Sequence, residues 1–338
     1  KLKKGKNHFE LNNYKNLLLI DRKERYSSKN YATSLIGYLS DGKGASGLEK
    51  IYENVLKKSQ KDKCNIFSDP LRRVYGSPDI VKTNSNIKLK TTLDLDFQAI
   101  CDDVLKEINK PSAAVLIDVN SFEILAASSY PSFEYNRLSD YIYRKDSPFV
   151  NRCFELYDMG SIFKIVLAAA AIENGLPSER EFECSGSLTI HGQIFNCHNA
   201  NGHGKQNIGK AFANSCNPAF IDIGVNLGYT EILDMAAKFG FGKNIFYPEE
   251  LYKIPQLPDR NNYYLSDLAN ISIGQGKLNC NVVQGAVLSA IIANGGIFKK
   301  ASVVKGITDN NGSLIKNDTK SAPERIISFK TAEKIKEK

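Results

Sequence analysis

The sequence predicts an α/β or α+β domain, with helices packed about a mixed sheet, behind a smaller and less regular N-terminal region. Three observations lead there. Hydrophobic periodicity sharpens near Ile87, which divides the chain into residues 1–86 and 87–338. Residues 113–128 read as a hairpin buried on one face. Two helical runs, Ser161 to Ile172 and Asn281 to Ala293, are so uniformly apolar that they belong inside a domain rather than on its surface.

The elements follow in order. Lys15 to Arg22 and Tyr31 to Tyr38 read as strands, the second ended by Ser40-Asp41-Gly42. Gly47 to Lys57 has helical spacing, with Leu48, Ile51, Tyr52 and Leu56 on one side. Ile87 to Thr92 alternates like a strand, and Asp94 is placed to cap a helix running through Ile108. Ala113–Val119 and Glu123–Ser128 form the hairpin, with its turn at Asn120-Ser121. Gly160 allows a tight turn into the Ser161 helix. Ile208–Ala213 and Pro218–Leu227 read as helices, with Ser215-Cys216-Asn217 between them. Asn294-Gly295-Gly296 ends the Asn281 helix. Glu333 to Lys338 reads as an exposed, charged helix.

Composition narrows the function classes. With 42% apolar residues in 338, a large core is available and global disorder is excluded. The net charge of +8 suits an anionic surface, but it is spread along the chain and forms no recognised nucleic-acid module, so nucleic acid is not an expected partner. No stretch reaches the roughly 18 apolar residues of a membrane span, and no secretory leader is visible. The chain is therefore either cytosolic or the soluble part of something anchored upstream. Seven cysteines, an odd number, exclude a complete disulfide framework.

The chemistry concentrates at two short motifs. Ser161 and Lys164, in Ser161-Ile162-Phe163-Lys164, are three apart and share one helix face. A serine hydroxyl needs a base to become a nucleophile. A lysine one turn away serves if burial or a neighbouring cation destabilises its ammonium. A helix N-terminus beneath Ser161 adds partial positive charge and free N–H groups for a developing oxyanion. Ser215-Cys216-Asn217, some fifty residues on, supplies a second Ser-x-Asn element. Ser-x-x-Lys alone is a weak signal; the pair is much stronger.

At these residues the chain resembles the class B penicillin-binding proteins, monofunctional peptidoglycan DD-transpeptidases. Lys90-Thr91-Thr92-Leu93-Asp94 with Gln98, the hairpin ending Ala126-Ala127-Ser128-Ser129-Tyr130-Pro131, and Tyr157 to Lys164 are similar to successive family motifs. So are Ser272-Ile273-Gly274-Gln275-Gly276, Gln284 and Ala293 to Gly296. Ile36-Gly37-Tyr38, Ser46 to Glu49 with Tyr52, and Asp69-Pro70 resemble the family's non-catalytic pedestal. The resemblance implies an α+β penicillin-binding/serine β-lactamase-like domain, a mixed sheet with helices on both sides, at residues 87–338. A partial pedestal then occupies residues 1–86.

By the same resemblance, Ser161 is acylated by a D-Ala-D-Ala stem peptide or a β-lactam, with Lys164 as its general base. Ser215 relays a proton to the leaving amine. Asn217 holds Lys164 and the substrate amide, and the Ser161 N–H is half of the oxyanion hole. The implied partners are peptidoglycan stem peptides, β-lactams and a membrane glycosyltransferase. The implied location is the extracytoplasmic face of a bacterial membrane, with an anchoring helix upstream of this chain. The family's Lys-Thr-Gly motif is expected beyond Lys338, because Lys330-Thr331-Ala332 lacks the glycine and opens a helical segment. Rival readings are a β-lactam-sensing receptor, a serine β-lactamase and a scaffold that has lost catalysis.

Cys184, Cys197, His203 and Cys216 flank this region, separated by twelve, five and twelve residues. Thiolate and imidazole are the ligands of structural zinc. Some class B penicillin-binding proteins, sporulation-type members among them, resemble this pattern and bind zinc near the active site, and the resemblance implies a Zn2+ here. Four protein ligands leave no open position, so its role is structural. A Cys184–Cys197 disulfide or free thiols are the alternatives, and His198 or His191 is able to replace a ligand. Cys64, Cys101, Cys153 and Cys280 read as isolated, mostly buried small apolar residues.

Overall fold

Asp94 starts the helix that organises the sheet. Its carboxylate accepts hydrogen bonds from the Asp96 and Phe97 N–H groups, and the Leu95–Ile108 helix ends at Asn109 in left-handed conformation. Gln98, fully buried, fastens this helix to the hairpin. Its Oε1 accepts from the Ala127 N–H at 2.9 Å and its Nε2 donates to Ser128 Oγ at 2.7 Å. A buried amide with its donors and acceptor matched fixes register as well as proximity. The structure is a computed structural model describing residues 25–57, 63–65, 67–71, 75, 79–81, 87–309, 311–317 and 321–337.

The hairpin pairs Ser112–Ile117 with Ile124–Tyr130 antiparallel, Val115 opposite Ala127. Its turn is longer than Asn120-Ser121, because the Asp118 carboxylate accepts from the N–H groups of both Asn120 and Ser121. Lys88–Thr91, Val304–Thr308 and Leu314–Asn317 form an antiparallel three-stranded sheet. Phe246–Tyr247 pairs parallel with Ala301–Ser302, and a parallel bridge joins Glu123 to Ser302. Both strand senses occur, in separate small sheets among the described residues. The helices Leu95–Ile108 and Val282–Ala293 pack on the two strands of the hairpin. This is an α+β architecture.

The two apolar helices lie in the core. The helix Lys164–Glu173 buries Val166, Leu167 and Ala168 to Ala171. Val282–Ala293 buries Val283, Val287, Leu288 and Ile291. At the start of the second, the Asn281 carboxamide caps the Gln284 N–H, and the buried Gln284 amide bonds the Phe239 carbonyl and the Tyr252 hydroxyl.

Several expectations need correction. Tyr31–Tyr38 is not a strand. Thr33–Ile36 is a single helical turn entered through Ala32 at φ 50 and left through Gly37 at φ 78. Its short apolar run satisfies either period, and tertiary contact decides: the Asp102 carboxylate accepts the Ala32 N–H at 3.2 Å, and Leu35 is fully buried. Gly47–Lys57 is helical but breaks at Tyr52 into Gly47–Ile51 and Glu53–Leu56. The C-terminal helix is Phe329–Lys336 and is amphipathic rather than exposed, with Thr331, Ala332 and Ile335 buried. The proposed strand at Lys15–Arg22 lies outside the described residues.

The N-terminal residues dock onto the larger unit. Asn30 Oδ1 accepts from the Tyr135 N–H at 3.1 Å, and the Tyr26 and Tyr135 rings stack at 3.8 Å. No helix among the described residues is long and apolar enough to cross a membrane.

Candidate active site

Ser161 lies in a 3-10 turn, Gly160–Phe163, that runs directly into the helix Lys164–Glu173. The helix therefore starts one tight turn later than its spacing predicts. Gly160 at φ 60 makes the bend, and its N–H donates to the Gly274 carbonyl at 2.8 Å. The Ser161 N–H belongs to the first turn, where helical N–H groups have no intrahelical acceptor. Ser161 is exposed and Phe163 beneath it is fully buried, so the turn is anchored while the hydroxyl faces solvent.

Lys164 is 2% exposed. Its Nζ donates to the Ser215 carbonyl at 2.6 Å, Ser215 Oγ at 3.0 Å and Asn217 Oδ1 at 2.8 Å. It also lies 5.5 Å from the centre of the Phe220 ring. Burial pulls its pKa down to about 8, against an opposing pull from the Cys216 and Cys197 thiols. A neutral amine at this position satisfies the carbonyl and Asn217 with its two N–H groups. Its lone pair is then free to take a hydroxyl proton.

The structure thus gathers Lys164, Ser215 and Asn217 directly and sets Ser161 one turn away. Among the described residues no hydrogen bond joins Ser161 Oγ to Lys164. Hydrogen bonds of this kind commonly tighten only with substrate in place. Ser215 sits at φ 46, left-handed for a residue with a side chain, a strain typical of functional positions. Cys216 precedes the Asn217–Leu227 helix, whose second residue is Pro218, so this loop is held by the helix start.

One part of the site was not read from sequence. Asn217 uses its second polar end too: Nδ2 donates to the Asn196 carbonyl at 3.0 Å. Asn196 closes a hairpin, Ser187–Ile190 paired with Gln193–Asn196. Leu188 and Ile190, a tight turn at Gly192, and Phe195 were the available signal. Phe195 turns inward onto Ile221 and Ala269, a small core apart from the main one. Phe195→Ala is expected to lower stability by roughly 3 kcal/mol and to slow acylation by a β-lactam about tenfold or more through a displaced Asn217. Phe195→Leu should recover most of both. A folded alanine variant acylating at the parent rate would contradict the brace.

Cys184, Cys197, His203 and Cys216 come together, all four ligand atoms lying within 4.8 Å of one another. This cluster is able to hold a metal ion. Cys184 closes the strand Glu181–Cys184, paired with Gly204–Asn207, and the hairpin carrying Asn196 ends immediately before Cys197. Burial raises the Cys184 thiol, but the N–H groups of Gly186 and His203 and the neighbouring thiols outweigh it, leaving it below the ordinary value. Burial pushes Cys216 up to about 12. The three cysteines are free thiols, so the disulfide alternative falls. His198 Nδ1 lies 4.0 Å from Cys197 Sγ, against 3.5 Å for His203, and His191 sits exposed at the hairpin turn. Cys153 and Cys280 are buried and Cys101 half-buried, as expected of isolated thiols.

Sequence and structure comparisons agree with this geometry. The profile described as the penicillin binding protein transpeptidase domain matches residues 112–338. The chain belongs to that family. It is similar to Stage V sporulation protein D of Bacillus subtilis, 24% identical over 332 residues, covering 94% of this chain and 50% of that protein. It is also similar to the peptidoglycan D,D-transpeptidase MrdA of Acinetobacter baumannii, 27% identical, covering 85% of this chain and 45% of that one. The chain thus spans about half the length of these curated relatives. Among solved structures, PBPA from Mycobacterium tuberculosis superposes with a TM-score of 0.75 at 21% identity, covering 90% of this chain and 72% of that one. Penicillin-binding protein 3 from the same organism, complexed with aztreonam, gives 0.75 at 23% identity, covering 92% and 67%.

Proposed function

We propose that this chain is the catalytic part of a peptidoglycan DD-transpeptidase, acylated at Ser161 by D-Ala-D-Ala stem peptides and by β-lactams. The observation that carries the reading is the buried Lys164 amine, bonded to Ser215 Oγ and Asn217 Oδ1 one turn from Ser161. Ser161 Oγ attacks the penultimate D-Ala carbonyl while Lys164 takes its proton. The tetrahedral oxyanion forms near the free N–H of Ser161. The C–N bond then breaks, and Ser215 passes a proton to the departing D-Ala amine. The acyl group remains as an ester on Ser161. An amine from a neighbouring stem peptide attacks that ester, Ser161 regains its proton, and a new amide cross-link is left. Such an enzyme works at the outer face of the membrane beside a glycosyltransferase that supplies the glycan.

Residues 87–338 form the transpeptidase unit in this reading, and residues 1–86 belong to the pedestal. Pairing of Lys88–Thr91 with Val304–Thr308 supports a boundary just before Lys88. Incubation with a fluorescent penicillin tests the activity. A long-lived covalent adduct is expected, and rapid turnover with free product released indicates a β-lactamase instead.

The reading includes a zinc ion on Cys184, Cys197, His203 and Cys216. Tetrahedral zinc spreads its ligand atoms roughly 3.5–4 Å apart, which fits a cluster contained within 4.8 Å. Three sulfurs and one imidazole suit zinc better than magnesium or calcium. The ion supplies a fixed cross-link, because no coordination position stays open. This chain's own contribution is to hold the Ser215–Asn217 loop through Cys216. Elemental analysis is expected to find one zinc per chain, and chelation to lower the melting temperature. Reduced, folded protein without zinc, or Cys216→Ser with unchanged stability and metal content, would contradict it.

A further inference from the structure

The Ser215 loop carries a second tether besides Cys216. Asn214, the residue before Ser215, donates from Nδ2 to Gln206 Oε1 at 3.1 Å. Gln206 lies in the strand Gly204–Asn207, opposite Phe182, and is 3% exposed. The helix Ile208–Ala213 packs on that strand and on its partner Glu181–Cys184. The amide pair therefore ties the end of the helix back to the strand that leads into it. Gln206 is an unfavourable choice for packing alone. Its Nε2 is buried with no hydrogen-bond partner among the described residues, and a buried donor left unpaired is destabilising. An apolar side chain would fill the place without that loss. What glutamine adds is an acceptor, and Asn214 uses it. A polar link of this kind specifies position more than it adds stability.

Ser215 is a residue whose position has to be held. It sits at φ 46, and its Oγ and its carbonyl both contact Lys164 Nζ, at 3.0 and 2.6 Å. The Ser215 N–H donates to the Phe212 carbonyl and the Cys216 N–H to the Ala211 carbonyl, both at 2.9 Å, so the loop folds back onto the helix end that Asn214 closes. A shift of Asn214 passes directly to the next residue and moves both Lys164 contacts at once.

We propose that Gln206 and Asn214 are positioning residues for acylation, their amide–amide bond holding the Ser215 hydroxyl and carbonyl on Lys164. The proposal rests on the acyl-enzyme reading of Ser161. Among the described residues neither side chain is hydrogen-bonded to Ser161, Lys164 or Ser215, so both act through the loop. The tether is separate from the cysteine cluster, which reaches the loop from the other side of Ser215, through Cys216.

The test is stopped-flow acylation by a chromogenic cephalosporin, which separates the initial binding constant from the acylation rate constant. Asn214→Ala removes the donor at an exposed position, and Gln206→Met removes the acceptor while keeping most of the volume. Each should lower the acylation rate constant about tenfold, the effect of a displacement of a fraction of an ångström, and leave the binding constant within about twofold. The double variant should be no slower than the slower single, because the two residues act as one unit. Asn214→Asp should come back to within about threefold of the parent rate, since the Gln206 amide, turned over, donates Nε2 to the new carboxylate. Metal content and melting temperature are measured on the same samples. An unchanged acylation rate constant in folded Asn214→Ala overturns the tether. Losses that multiply in the double variant, or that follow a loss of bound metal, overturn it as well. If Gln206→Met does not fold, Asn214→Ala and Asn214→Asp decide the matter between them. If the parent itself is not acylated at Ser161, the acyl-enzyme reading fails and the tether's role in acylation with it.

Discussion

Replacing Lys164 by methionine is expected to slow acylation by a β-lactam by about 10^2- to 10^4-fold, the usual contribution of a positioned general base. Methionine keeps most of the side-chain volume, so the buried helix should stay folded. What is lost is the amine that contacts Ser215 Oγ, the Ser215 carbonyl and Asn217 Oδ1. The pH profile carries the same information from the other side. Burial holds Lys164 at about 8, so near pH 7 only about a tenth of the molecules have the neutral amine. The parent acylation rate should rise as pH increases from 6 and level off above about 8. A lysine at its ordinary value would keep the rate rising past pH 10. The methionine variant should lose the step altogether. A variant within a few-fold of the parent, or a flat parent profile, would remove Lys164 from the role of base.

Gly274→Ala is the second large effect. Gly274 has φ +71, and a Cβ there would lie 1.9 Å from the Gly160 carbonyl oxygen, a backbone atom that cannot swing aside. The strained φ and the clash together should lower stability by about 2–4 kcal/mol. The consequence for chemistry is larger than the stability loss suggests. Relief of the clash moves Gly160, whose N–H is bonded to the Gly274 carbonyl, and Ser161 follows next in sequence. A displacement near 1 Å at the nucleophile slows acylation by about 10^2-fold. Thermal melting and acylation kinetics on the same sample separate the two. A well-folded variant acylating normally would show that this contact does not set the Ser161 turn.

The sequence revealed side chains better than backbone groups. Ser161 and Lys164 were readable because three-residue spacing on a helix puts them on one face; in the structure Ser161 lies in a 3-10 turn that runs directly into the helix beginning at Lys164. Asp94 was readable as a cap from its place just before an apolar helical run, whereas Gln98 entered the sequence reading only as part of a motif resembling the family, and its buried link to the hairpin is a finding of the structure. The Asn196 carbonyl and the Gly274 carbonyl were not, because a backbone acceptor has no residue type to betray it. The Thr33–Ile36 turn failed for a different reason: four residues are too few to separate a period of two from 3.6, and the deciding contact, with Asp102, lies some seventy residues away. The cysteine cluster falls between. Its donor types suggested a metal site, whereas the spacing did not resemble a knuckle, and only the fold brings the four ligand atoms within 4.8 Å.

The account depends most on Ser161 being the acylated residue. The direct measurement is penicillin treatment followed by proteolysis and peptide mass analysis. The penicilloyl group is predicted on the peptide containing Ser161, with fragment ions assigning it to that serine, and no adduct is predicted in Ser161→Ala. An adduct on any other residue, or one that persists in a folded Ser161→Ala variant, would contradict it.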